Sequence, residues 1–86
     1  MPELCRFYGI VVRMYFDDHH PPHFHAEYGE HEVVLAIDTL AVMRGRLPAR
    51  AIGLVMEWAM LHQNELRAAW TRAKNLEPPG SIDPLP

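Results

Sequence analysis

From Pro48 to about Asn75 the chain contains no further proline and is rich in Ala, Leu, Met, Glu and Arg, all good helix formers. Within this run Ile52, Val55, Trp58, Ala59, His62, Leu66, Ala69 and Ala73 recur at spacings of three and four. That spacing aligns them on one stripe of a helix. Met56, Gln63, Arg67, Thr71 and Lys74 fall off the stripe. Pro48 suits the first turn, where its missing N–H is not needed. The pattern predicts one long amphipathic helix, which must bury its stripe against something else. His62 lies within the stripe and is expected there as a hydrogen-bonded buried histidine. Trp58 and Trp70 are expected as core or interface anchors.

What precedes the helix reads as strands. Tyr8–Phe16, YGIVVRMYF, is β-branched and aromatic without proline. Tyr8, Ile10, Val12, Met14 and Phe16 lie on one parity, Val11 and Tyr15 on the other, with Arg13 the polar exception. A strand apolar on both faces is central or covered on both sides. Asp17–Pro22 is a connector, because Pro21 and Pro22 cannot donate ladder hydrogen bonds. His23–Tyr28, HFHAEY, alternates: Phe24, Ala26 and Tyr28 on one face, His23, His25 and Glu27 on the other. Gly29-Glu30 is a tight turn. His31–Leu40 is the next strand, and Ala41–Arg46 is a short fourth with Gly45 near its turn.

The expected fold is therefore α+β: a two-layer domain with a three- to four-stranded antiparallel sheet followed by one long amphipathic helix. The domain runs over residues 1–76, and 77–86 is a proline-rich C-terminal tail, extended or mobile. One helix covers one sheet face. The doubly apolar first strand implies cover for the other face from a second copy or a partner.

Composition narrows the function classes. At 86 residues the chain fits one domain with a thin stability margin. Its one cysteine, Cys5, cannot form an internal disulfide, and a reducing cytoplasm is its natural setting. No basic start followed by an apolar run marks a signal peptide, and no run is long enough to span a bilayer. A soluble cytoplasmic protein is expected, with no membrane partner. The net charge of −3 argues weakly against a broad nucleic-acid footprint. Protonating all six histidines would move it to +3.

Four of those histidines fall in Phe16–Ala26, FDDHHPPHFHA. His23 and His25, two apart on an extended strand, leave the same face, and Glu27 continues their row. The di-proline stiffens the loop that brings Asp18, His19 and His20 alongside. Three readings follow. His23 and His25, with a third nitrogen from His19 or His20 or a carboxylate such as Glu27, could hold a divalent transition metal, zinc, nickel, copper or iron. Metal-free acid/base chemistry could use these histidines, with Asp18 or Glu27 orienting an imidazole and Arg13, with Arg6 in reserve, stabilising an anion. Or the histidines only bond backbone groups and set the loop. His62, on the opposite face, is not expected to join His23 and His25.

The residues Arg6–Ile10, then Asp18-His19-His20-Pro21-Pro22-His23-Phe24-His25-Ala26, then Leu47-Pro48 and Glu57-Trp58-Ala59 resemble one family, a widespread set of small bacterial proteins known as domain of unknown function 4160. The resemblance runs from about Cys5 to Trp70. The family's hallmark, acidic-His-any-Pro-Pro-His-Phe-His, falls on Asp18 to His25, with His20 at the free position. It favours His19, His23 and His25 over His20. Gene pairs containing such members are proposed as toxin–antitoxin-like modules. The resemblance thus implies first an interaction module that docks a partner protein encoded nearby or forms a homo-oligomer. It implies second a histidine-dependent ribonuclease or other phosphodiesterase, and third a metal-binding protein.

Overall fold

The computed structural model describes every residue except Met1, Asp17 and Asp18. Five strands precede two helices: β1 Glu3–Phe7, β2 Ile10–Arg13, β3 His23–Tyr28, β4 His31–Ala36, β5 Val42–Arg46, α1 Ala49–Leu61 and α2 Gln63–Lys74. The strands form one antiparallel meander in the order β1-β2-β3-β4-β5. The class is α+β, with one strand more than expected and the helix in two pieces.

The extra strand comes from the start of the chain. Tyr8 and Gly9 both have positive φ, 49° and 81°, and Phe7 pairs with Ile10. A two-residue loop with positive φ at both positions matches the twist of a β-hairpin. The expected strand Tyr8–Phe16 therefore begins at Ile10 and ends at Arg13, and Glu3–Phe7 is its hairpin partner. The register shifts between Glu3 and Cys5, so Leu4 and Phe7 are both buried despite their odd spacing.

Alternation in β3 holds as read. Phe24 and Ala26 are fully buried, and the Phe24 ring lies 5.9 Å from Trp58 of α1. Ala26 pairs with Val12 on one side and Val33 on the other, and these join Ile10, Leu35, Val55 and Leu66 in one core. Tyr28, on the same parity, stays exposed at the turn.

The helical run breaks at His62, whose φ of −124° and ψ of 23° are not helical. His62 N–H closes on Ala59 O at 3.1 Å, and its carbonyl opens α2 through Leu66 N–H at 2.9 Å. The new direction is fixed by polar anchors. Gln63 donates to Ile37 O at 2.8 Å and Arg67 to Asp38 at 2.8 Å. His62 is consequently not the deeply buried stripe residue expected. It is half-buried at the junction, its Nδ1 2.5 Å from Glu65 and its ring 5.5 Å from Trp58.

Residues 77–86 contain no helix or strand, yet they are bound to the core. Ile82 and Leu85 are buried. Ile82 N–H donates to Leu4 O at 3.0 Å, Trp58 Nε1–H to Asp83 O at 2.8 Å, and Arg72 to Pro79 O. No helix among the described residues is long and apolar enough to cross a membrane.

Candidate functional site: a histidine-lined cleft

The di-proline connector is tied down before β3 begins. Pro22 O accepts from Ile37 N–H at 3.0 Å. Pro21 O accepts from His23 Nδ1–H at 2.8 Å. A carbonyl only accepts, so this bond puts the His23 proton on Nδ1 and its lone pair on Nε2.

His23 and His25 leave the sheet face opposite Phe24, as alternation requires. They are far less exposed than a solvent-facing row, at 7% and 6%. Their cover comes from outside the strand. The Trp70 ring of α2 lies 5.2 Å from that of His23. Tyr15, just past β2, packs edge-on to His25 at 4.4 Å. The two imidazoles lie 5.4 Å apart. His25 Nδ1 is 3.2 Å from the Glu32 carboxylate, which fixes its tautomer in the same way.

These groups border a cleft of about 230 Å³ lined by His19, His20, His23, His25, Val34, Met43 and Arg44. All four histidines of the motif thus meet in one place. His20, expected to stand apart, is a wall of the cleft, and its ring lies 5.8 Å from Trp70. Arg13 and Glu27 do not line it. They pair with each other at 3.2 Å on the open sheet face, where Arg13 lies in register with His25. Asp18 lies outside the described residues. Among those described, no group of three or more His, Cys, Asp or Glu side chains is placed to hold a metal ion. Of the expected set His19, His23, His25 and Glu27, the three histidines line the cleft and Glu27 pairs with Arg13.

The open face of the sheet is charged, not apolar. One cross-strand row runs Arg13, His25, Val34, Arg44, and the next runs Arg6, Val11, Glu27, Glu32, Arg46. Arg6 pairs with Glu3 at 2.8 Å, which holds the Glu3 carboxyl below its ordinary range. The apolar second face inferred from Tyr8–Phe16 is absent because Tyr15 lies beyond the strand and only Val11 remains. Cys5 is half-buried, and burial, with the Glu3 carboxylate adding to it, pushes its thiol up to about 12.

Four contributors were missed in the sequence: Glu32, Arg44, Tyr15 and Trp70. Glu32 was recoverable. The Gly29-Glu30 turn pairs Glu27 with Glu32 and His25 with Val34, placing Glu32 diagonally beside His25. Arg44 was not, because the ladder shifts register between Val34 and Leu35.

A five-stranded antiparallel meander, backed by two helices on one face and carrying a histidine cleft where its central strand begins, defines a small α+β domain with a surface site. The family model for a domain of unknown function, DUF4160, matches residues 9–71, and the chain belongs to that family. The matched segment contains every cleft-lining residue. No curated protein and no solved structure matches the chain.

Proposed function

We propose that this chain is a small cytoplasmic interaction module, a component of a toxin–antitoxin-like gene pair, that docks its partner along β5 beside the histidine cleft. The observation that carries this reading is the state of β5. It is an edge of the sheet, it is exposed throughout, and it carries Val42 and Met43 at 50% and 43% exposure. An edge strand offers a row of backbone N–H and C=O groups to an added strand. Met43 and Arg44 also wall the cleft, so a partner seated on β5 meets the histidines. The test is size-exclusion chromatography with light scattering, on the protein alone and mixed with the product of the adjacent gene. A homo-oligomer or a hetero-complex is expected, and Met43→Glu should disrupt the hetero-complex formed along β5 without changing the circular dichroism spectrum. A monomer that ignores its neighbour refutes the reading.

The Glu32–His25 pair favours a second reading, a histidine-dependent ribonuclease or phosphodiesterase. With Nδ1 of each imidazole held by its own partner, Nε2 is the working atom: unprotonated in one ring it serves as base, protonated in the other as acid. Arg44 adds a cation for the charge that develops on phosphorus. Expressing the wild type beside His23→Ala and His25→Ala tests it, and equal growth with intact RNA in all three removes it. The metal-dependent form would place a divalent ion, zinc, nickel, copper or iron, on His19, His23 and His25. Elemental analysis of untagged protein after exposure to zinc or nickel decides that, and a metal content near zero eliminates it.

A further inference from the structure

The arginines of the open sheet face are not equivalent. Arg6 is neutralised by Glu3 and Arg13 by Glu27. Arg44 and Arg46 have no ion pair among the described residues. The carboxylate in register with Arg46 is Glu32, and it is 3.2 Å from His25. A chain of net charge −3 therefore carries on its edge strand two neighbouring cations without an ion pair among the described residues.

Their spacing is informative. Arg44 and Arg46 lie in register with Val34 and Glu32 of β4, which share the open face, so both arginines lie on that face. Gly45, between them, has φ +74° and leaves the opposite face without a side chain. Val42 is exposed on that opposite face, where its register partner Leu35 is buried.

We infer that β5 binds an extended acidic segment of a partner protein in which two acidic side chains flank an apolar one. An added antiparallel strand sets its side chains about 4.5–5.5 Å from those directly opposite. Acidic residues two apart then face Arg44 and Arg46. The residue between them points to the other face and packs towards exposed Val42. A second copy of β5 does not fit. Every antiparallel register that keeps the faces aligned sets an arginine opposite or diagonal to another, and like charges so placed repel. The arginines and the glycine-marked irregularity are the devices that keep an edge from self-pairing. The same devices leave it open to a strand of opposite charge.

This inference rests on the interaction-module reading and specifies the partner's chemistry. The probe is a short blocked peptide alternating Glu with Val, labelled with a fluorophore, beside a control alternating Lys with Val. Anisotropy is measured with the full chain at low and high salt, and amide shifts are mapped by NMR. The Glu peptide is expected to bind, to weaken as salt rises, and to shift amides of β5. The Lys peptide is expected not to bind. Arg44→Glu with Arg46→Glu should weaken the Glu peptide by about tenfold or more and transfer binding to the Lys peptide. That gain shows that the variant is folded. Equal binding of both peptides, shifts elsewhere, or displacement of the Glu peptide by an RNA oligonucleotide would overturn the inference. Co-elution of the adjacent gene's product with both wild type and the double variant would also overturn it, while leaving the interaction-module reading intact.

Discussion

Two tryptophans of this fold are almost equally buried and differ in one hydrogen bond. Trp58 is fully buried, and its Nε1–H donates to Asp83 O at 2.8 Å. Trp70 is 5% exposed, and its Nε1–H is buried with no acceptor among the described residues. Replacing either by Phe trims a similar volume, a cavity cost of about 1–2 kcal/mol. At position 58 the change also removes a net hydrogen-bond contribution of about 1 kcal/mol, so Trp58→Phe should destabilise by about 2–3 kcal/mol. At position 70 it relieves a desolvated donor that costs about 1–3 kcal/mol. Trp70→Phe should therefore lie between about 1 kcal/mol destabilising and about 2 kcal/mol stabilising. In a domain of this size 1 kcal/mol moves the midpoint by about 4–8 °C, so the two variants should melt at least about 8 °C apart. Thermal and urea denaturation followed by far-UV circular dichroism measure it. If Trp70→Phe loses as much as Trp58→Phe, the Trp70 donor is satisfied and the reasoning is wrong. Trp70 also touches His20 and His23.

Other parts of the structure are equally exposed to test. A Cβ at Gly45 would lie 2.1 Å from Glu32 O at a φ of +74°, so Gly45→Ala should cost about 3 kcal/mol. Gly29→Ala, with open space around it, should cost about 1 kcal/mol; equal costs, measured by urea titration, would contradict the packing at Gly45. The Cys5 thiol, pushed up to about 12 by burial and then by Glu3, should alkylate far more slowly at pH 8 in the native protein than in urea. Because the unfolded thiol ionises near 9.0, this group should remove stability as pH climbs from there towards about 12. A stability curve that is flat or rising over that window would refute it. Truncation after Glu77 removes buried Ile82 and Leu85, at about 1.5–3 kcal/mol each. The shortened chain should melt well below the full one, and an unchanged melting temperature would show that the tail does not hold the core.

What could be read from the sequence was what strand and helix periods encode locally. Phe24 and Ala26 against His23 and His25 needed only alternation, and the stripe through Val55, Trp58, Leu66 and Ala73 needed only a helical wheel. The misreadings have local or tertiary causes. Tyr8-Gly9 disappeared into a β-branched, aromatic run because tyrosine seldom takes a positive φ. The break at His62 leaves no mark in propensity, since Gln63 and Arg67 make it by reaching Ile37 and Asp38. The burial of His23 and His25 was invisible for the same reason: Trp70 and Tyr15 arrive from other elements.

The histidine motif divides its work between folding and the cleft, and that division decides how it must be probed. Pro21 and Pro22 supply carbonyls, to the His23 ring and to Ile37 N–H, and Phe24 anchors β3 on Trp58. Removing any of them perturbs the fold as well as the site. His23 has both jobs, since its Nδ1–H holds the loop while its ring lines the cleft. Replacing His25 breaks the contact with Glu32, a side-chain partner, and leaves the loop's backbone bonds in place. It is therefore the sharper probe of chemistry. His20, at the motif's free position, is no inert control, because it walls the same cleft and meets Trp70. The control belongs at His31. That residue is exposed and pairs with Tyr28 at the far end of β3, a full strand away from the cleft. His31→Ala should leave every activity of the cleft unchanged, and a loss there equal to that of His25→Ala would show that the histidines act through net charge and not through this site.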